Sequence, residues 1–194
     1  MNKHRKQSAK SSNKGSIRII SGLHRGRKLP VLMAEGLRPT TDRVKETVFN
    51  WLMPFIQDSN CLDCFAGSGG LGFEALSRGA SHVNFIELNK AAAQQLKENQ
   101  CLLQSNNVSI INSDALHFIK NNTQKFDVVF LDPPFRKNFV EQTAQLLNEN
   151  SLADNALIYI EMESEEGNQQ LPLNWKLLKE KVAGQVISRL YQKT

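Results

Sequence analysis

The chain has 194 residues, 40% of them hydrophobic, and a formal net charge of +5, so it can bury a sizeable core without disulfides or metals. It contains no run of about 18 apolar residues that would cross a membrane as a helix, and its polar, lysine-rich N-terminus lacks the apolar segment of a secretory signal. Three cysteines, Cys61, Cys64 and Cys101, make no framework of bridges, and a cytoplasmic, monomeric protein with reduced thiols is expected.

Residues 1–15 are Ser, Lys, Asn and Gln with almost no apolar content and are expected to be a disordered basic tail. Residues 16–194 read as one domain, with 16–37 as a hairpin extension and 38–194 as the main body. Ser16–Ser21 alternates polar and apolar residues as a half-buried strand does. Gly22 to Gly26 supplies a turn and 27–32 a return strand, so Arg25, Arg27 and Lys28 should lie near the tip. Pro39-Thr40-Thr41-Asp42 is a helix start, with Thr41 able to cap the free amides and Asp42 suited to the positive helix end. Val44, Val48, Trp51 and Phe55 recur near helical spacing and predict its core face, and Pro54 should kink or end it.

From residue 59 short apolar runs alternate with amphipathic segments. Strands are predicted at Asn60–Asp63, His82–Glu87, Val108–Asn112, Phe126–Leu131 and Ala156–Glu161, with helices near 70–78, 90–103, 114–121 and 137–149. This α/β alternation implies a parallel sheet covered on both faces. By composition, 175–182 can be helix or strand. Gln185–Tyr191 reads as a strand after a turn at Ala183-Gly184, and the pair is expected to close one sheet edge as an antiparallel hairpin.

Charge is distributed unevenly. Residues 1–45 hold 12 basic and 2 acidic residues, a net of +10, while the remainder holds 12 basic and 17 acidic, a net of −5. A basic segment on a mildly acidic body suggests that the N-terminal region meets a polyanion such as a nucleic acid; Arg18, Arg25, Arg27, Lys28, Arg38 and Arg43 are the candidates for that contact. The alternative is a solvated tail that only aids solubility.

Four signals carry chemistry. In Asp63-Cys64-Phe65-Ala66-Gly67-Ser68-Gly69-Gly70-Leu71-Gly72 a strand enters a glycine-rich turn and a helix. Gly67 and Gly69 allow a sharp turn and close approach of backbone to a ligand, a pattern that serves NAD, FAD and S-adenosylmethionine alike. Asp63 discriminates among them: a carboxylate suits the cationic amino-acid end of S-adenosylmethionine and repels a pyrophosphate. Glu87 ends the next strand, 24 positions after Asp63, where an acidic residue can accept ribose hydroxyls. Asp114, after the following strand, can accept from the adenine amino group or simply cap a helix. Asp132-Pro133-Pro134-Phe135 follows a buried strand. Its prolines stiffen the turn and leave carbonyls free as acceptors, and its aromatic offers a stacking face. An exocyclic amino nitrogen is a poor nucleophile because its lone pair is delocalised into the ring. Asp132 and the Pro133 carbonyl can accept its two hydrogens and direct the lone pair, a gain in positioning and electrostatics.

With Arg18-Ile19-Ile20-Ser21-Gly22, Arg38-Pro39-Thr40-Thr41-Asp42-Arg43-Val44-Lys45-Glu46, Asp63–Gly69, Glu87, Asp114, Asp132–Phe135 and Gly184-Gln185-Val186-Ile187, the chain resembles the bacterial 16S ribosomal RNA guanine-N2 methyltransferases of the RsmD type. The likeness covers nearly everything after residue 15. It implies a Rossmann-like class I methyltransferase fold: a seven-stranded, mostly parallel sheet with a reversed last strand, plus the small N-terminal β-hairpin. It implies transfer from S-adenosylmethionine to the N2 amino group of one guanine of 16S RNA, guanine 966 in the family. Asp63, Phe65, Gly67, Gly69, Glu87 and Asp114 would hold the cofactor, Asp132, Pro133, Pro134 and Phe135 would act in catalysis, and the partner would be 16S RNA or an assembling small ribosomal subunit.

Other features read as structural. His4, His24, His82 and His117 show no metal spacing, although His24 can contact phosphate, and Cys61 and Cys64 form a lone CxxC without a second pair. The run Glu161, Glu163, Glu165, Glu166 is expected to be a solvated loop, and Trp51 and Trp175 to lie in the core. Three rivals stay open: methylation of another base amino group such as adenine N6, a nicotinamide-dependent oxidoreductase built on the glycine loop and Glu87, and a non-catalytic RNA-binding module. The oxidoreductase leaves Asp63 and Asp132–Phe135 unexplained, and the binding module leaves a cofactor pocket without a purpose.

Overall fold

The structure, a computed structural model, describes residues 14–32, 41–134, 139–166 and 169–194; residues 1–13 of the expected tail, Arg38 and Phe135 lie outside them. Strands β1 (Lys14–Arg18) and β2 (Lys28–Leu32) pair antiparallel as a two-stranded sheet. Helix α1 (Asp42–Leu52) follows, and the Thr41 hydroxyl accepts the Val44 amide at 3.4 Å, the expected cap.

The buried face of α1 is Lys45, Val48, Phe49 and Leu52, not the stripe Val44, Val48, Trp51, Phe55. The Phe49 ring meets Phe130 of the sheet at 5.8 Å and so fixes the rotation of the helix. Val44 and Trp51 are left half-buried at the flank. The helix stops at Leu52, two residues before Pro54, so Phe55 falls beyond it and is exposed.

The body alternates β3 (Asn60–Asp63), α2 (Gly70–Ser77), β4 (His82–Glu87), α3 (Lys90–Leu103), β5 (Val108–Asn112), α4 (Ala115–Asn121), β6 (Phe126–Leu131) and α5 (Phe139–Asn150). Then come β7 (Leu152–Glu163), which starts four residues earlier than predicted, β8 (Trp175–Ala183) and β9 (Val186–Lys193). The seven strands lie in the order β5-β4-β3-β6-β7-β9-β8. The pairs from β5 through β7 are parallel, and β9 runs antiparallel to both β7 and β8. The sheet is therefore mostly parallel with a reversed last strand, and the ambiguous 175–182 stretch is its edge strand.

Each face has its own apolar layer. Helices α1, α2 and α3, with Ile17, Ile19, Leu29 and Val31 of the hairpin region, cover one face against Cys61, Phe85, Phe130 and Tyr159. Helices α4 and α5 cover the other through Ile119, Val140, Ala144 and Leu147 against Leu62, Val129, Leu131 and Ile158. Trp175 belongs to this second layer. No described helix is long and apolar enough to cross a membrane.

Candidate active site

Because β3 to β7 are parallel, their carboxyl ends emerge on one edge of the sheet. From β3 the chain moves outward to β4 and β5, then returns to β6 on the other side of β3, so the strand order reverses between β3 and β6. Ligands of open α/β sheets bind in the crevice outside such a reversal. Asp63 is in register with Phe85 of β4 and Phe130 of β6. Glu87 and Asp132 each lie two residues further along, roughly 7 Å at the strand rise, on either side of the turn that follows Asp63.

That turn is built by glycine. Gly67 and Gly69 have φ of +50° and +79°. A Cβ on Gly69 would lie 2.6 Å from the Phe73 ring, and one on Gly72 would lie 2.2 Å from the Phe85 ring. Gly69 thus permits the entry to α2, and Gly72 permits close packing of that helix on β4. Asp63 is buried, its Oδ2 accepting the Gly72 amide at 3.1 Å near the start of α2. Burial pushes its carboxyl up to about 7, aided by the nearby Glu87 and opposed by the Gly72 and Phe65 amides. Phe65 is half-buried with its ring 5.8 Å from Phe139.

Glu87 accepts the Gly67 amide at 2.7 Å through Oε2 and the Asn89 amide at 2.7 Å through Oε1. The strand-end carboxylate therefore braces the glycine turn while remaining partly accessible. Asp114 is the N-cap of α4, its Oδ1 accepting the His117 amide at 2.9 Å, and its side chain is exposed. Beyond β6, Asp132 is half-buried, Pro133 buried and Pro134 exposed. Asp132 lies close enough to Tyr159 for its charge to act on that buried phenol.

The hairpin is fastened to α2 rather than projecting from it. Glu74, fully buried, accepts the Ile20 amide at 2.8 Å, the Ser21 amide at 3.1 Å and Arg78 Nε at 2.7 Å. Ser77 Oγ donates to the Ser21 carbonyl and accepts the His24 amide. A Cβ on Gly22 would fall 1.8 Å from the Ser77 carbonyl oxygen. Arg25, Arg27, Lys28 and Arg43 are exposed, whereas Arg18 pairs with Asp42 at 2.8 Å. Lys45, almost wholly buried, donates its amine to the Arg18 carbonyl and lies 3.3 Å from Asp42. His24 is held against the body by its backbone bond to Ser77, with Nε2 3.5 Å from Ser105 Oγ, and His82 Nε2 lies 2.8 Å from Ser109 Oγ.

The acidic run is not one solvated loop. Glu161 is a buried residue of β7 that accepts the Tyr159 hydroxyl at 2.8 Å, because strand β7 continues through Glu163. The reading by charge alone missed Glu161 and Glu74. Each stands in an otherwise apolar stretch, IYIEM and GFEAL, which is the signal that marks a partnered buried carboxylate. Cys61 and Cys64 are both buried and free, and burial pushes the Cys61 thiol up to about 12. Among the described residues, no group of three His, Cys, Asp or Glu side chains stands close enough to hold a metal ion.

The sequence profile of the family described as Conserved hypothetical protein 95 matches residues 17–192. The ribosomal RNA small subunit methyltransferase D of Escherichia coli K12 is 55% identical over 183 residues, covering 94% of this chain and 92% of that protein. The protein of the same name from Haemophilus influenzae is 59% identical over 184 residues, covering 92% and 95%. Among solved structures, one from Escherichia coli superposes with a TM-score of 0.87 at 52% identity, over 92% of this chain and 98% of that one. A Thermus thermophilus 16S rRNA methyltransferase bound to AdoMet and guanosine shares the fold alone, with a TM-score of 0.71 at 17% identity over 94% of this chain and 50% of that one. On a match across nearly its whole length, the chain belongs to the family of the ribosomal RNA small subunit methyltransferase D proteins.

Proposed function

We propose that this chain transfers a methyl group from S-adenosylmethionine to the exocyclic N2 amino group of a guanine in 16S ribosomal RNA, guanine 966 by family resemblance. The observation that carries the reading is the juxtaposition, across the β3–β6 reversal, of a glycine turn braced by Glu87 with the Asp132-Pro133-Pro134 turn.

The donor set fits the cofactor. The strand-end carboxylate of Glu87 suits vicinal hydroxyls, and Asp63 is a buried acid able to face an ammonium group. Asp114 stands at the next strand end for the adenine amino group, and Phe65 and Gly67 line the turn. When bound, S-adenosylmethionine supplies an electrophilic methyl group on sulfur. Asp132 and the Pro133 carbonyl accept the two amino hydrogens of the base and hold its nitrogen partly pyramidal. Pro134 keeps the turn rigid, and Phe135 supplies a stacking face for a base drawn out of a single-stranded loop. As positive charge develops on the nitrogen, the Asp132 carboxylate stabilises it and can take the proton that is lost.

The test is single-turnover transfer of labelled methyl groups to 16S RNA and to small-subunit assembly particles, followed by mapping of the modified nucleotide. Label in N2-methylguanine is expected. Asp132→Ala should slow transfer by about 10²–10³, by analogy with removal of one preorganised group, and leave cofactor and RNA affinity within a few-fold. Transfer by Asp132→Ala at the wild-type rate would refute this mechanism.

A further inference from the structure

Glu161 has no part in the chemistry so far, yet it stands beside it. Strands β6 and β7 run parallel with Phe130 opposite Tyr159 and Leu131 opposite Ile160, so the next step of that register sets Asp132 opposite Glu161. Tyr159, Glu161 and Phe130 share the α1 side of the sheet, since Phe130 and Tyr159 lie in the same apolar layer and side chains alternate along a strand. One buried phenol joins the two acids. The Tyr159 hydroxyl donates to Glu161 Oε2 at 2.8 Å, lies 3.1 Å from Ser188 Oγ of β9, and feels the charge of Asp132.

Glu161 is only 8% exposed, and among the described residues the single hydrogen bond of its side chain is the one from Tyr159. Its Oε1 therefore keeps acceptor capacity that the described protein does not use. That oxygen is not among the described atoms sealed from solvent without a donor, so it keeps contact with solvent at the end of β7. Burial of the side chain as a whole pushes the Glu161 carboxyl above its ordinary range, against the pull of the Tyr159 hydroxyl.

Guanine offers the matching donor. Its Watson–Crick edge carries N1–H next to the N2 amino group, whereas adenine carries an acceptor at N1. A guanine whose amino group is held by Asp132 has N1–H on one flank. The cofactor crevice lies toward β3, and Glu161 lies on the opposite side of Asp132, toward β7. We propose that Glu161 accepts the N1–H of the target guanine and so selects guanine over bases with an unprotonated N1, with Tyr159 and Ser188 positioning its carboxylate. This inference rests on the reading of the chain as a guanine-N2 methyltransferase.

The discriminating probe is 2-aminopurine, which keeps the amino group at C2 but has no hydrogen on N1. Small-subunit particles are reconstituted with RNA carrying guanine or 2-aminopurine at the position that the wild type methylates. Single-turnover rates are then measured for wild type, Glu161→Gln and Tyr159→Phe. The wild type should favour guanine at least tenfold. Glu161→Gln removes the charge and leaves one acceptor oxygen for two donors, the Tyr159 hydroxyl and N1–H, so it should lose roughly ten- to hundredfold on guanine. It should lose little or gain on 2-aminopurine, because the glutamine amide can donate to the bare N1, so the guanine preference collapses. Absence of O6 from 2-aminopurine affects both enzymes and cancels in the comparison of ratios. Tyr159→Phe should narrow the ratio in the same direction by less, and it carries the test if Glu161→Gln folds poorly. A wild-type ratio near one, or an unchanged ratio in folded variants at any absolute rate, overturns the proposal. A wild type that labels no guanine N2 overturns the parent reading and this one together, and that outcome is visible before any variant is made.

Discussion

Glu87 and Asp63 each hold backbone amides of the glycine turn or the helix that follows it, and the cofactor contact proposed for them would be a second task for the same side chains. Glu87 accepts two backbone amides, so Glu87→Ala should release the glycine turn as well as remove a ligand acceptor. Cofactor affinity should fall by about 1.5–3 kcal/mol, the scale of hydrogen bonds to a charged group. Calorimetry on the folded variant showing wild-type affinity would remove Glu87 from the site. Asp63 makes a pH prediction. Its folded value lies near 7, against 3.8 in the unfolded chain, so the folded state holds the proton more tightly. Its contribution to stability is therefore complete below about pH 3.8 and is lost as pH rises through 7. A cationic ligand beside it favours the ionised form, so binding should expel a proton below pH 7. Cofactor affinity should rise from pH 5.5 to 7.5, and titrations at pH 6 in buffers of different ionisation enthalpy should report proton release that Asp63→Asn lacks. Equal proton release from both proteins would detach Asp63 from the ligand. The types and order of these residues were legible in the sequence. The helix contact of Asp63 was not, because the Gly72 amide reaches it only after the turn has folded back. Asp114 was legible as a cap in the same way that it was legible as a ligand, and the cap is the role that its bond to the His117 amide displays.

At the scale of elements, α2 is the piece that the site depends on. Its first residues carry the glycine turn, and its later ones, Glu74, Ser77 and Arg78, anchor the hairpin. Gly72→Ala puts a methyl group into the Phe85 ring and should cost about 1–3 kcal/mol by overpacking, read as a lower denaturant midpoint at unchanged slope. Glu74→Ala leaves the Ile20 and Ser21 amides unpaired and should cost about 3–5 kcal/mol, as breaking a buried charged pair does. Hydrogen exchange should then quicken at Ile20, Ser21 and Leu23 before it quickens in β3 or β4. Uniform loss of protection would show that the hairpin is not a separately opening unit. The strands of the parallel sheet were legible because buried parallel strands read as short apolar runs between helices. The face of α1 was not, since its rotation is set by one aromatic contact with Phe130 and its buried stripe includes Lys45, whose amine finds partners on another element. Long-range polar partners of this kind leave no period in a sequence.

The molecule as a whole is polarised, with a net charge of +10 on residues 1–45 and −5 on the rest. The docking of the hairpin on α2 gives that polarity a fixed geometry, since Arg25, Arg27 and Lys28 are exposed on a turn tied to the helix that starts at the glycine loop. Arg18 is differently placed: it bridges the hairpin to Asp42 of α1, so its removal should disturb the junction as well as any phosphate contact. Each phosphate contact releases condensed counterions, and the logarithm of RNA affinity should fall with the logarithm of salt by about 0.7 to 0.9 per contact. Deleting residues 1–13, which stops short of β1, removes Lys3, Arg5, Lys6 and Lys10. If these residues meet RNA, the truncated chain should bind more weakly at low salt with a shallower slope, converge on the wild type as salt rises, and keep its cofactor affinity. If Arg25, Arg27 and Lys28 contact phosphate, replacing them together with Gln should also flatten the slope, and it should slow methyl transfer more than the truncation does, because cations held on the docked hairpin would fix the register of the RNA. Filter binding across a salt series, paired with single-turnover transfer, separates the two segments. A truncated chain with the full wild-type slope would show that the tail touches no phosphate, and a triple variant with unchanged slope and rate would move the RNA path off the hairpin altogether.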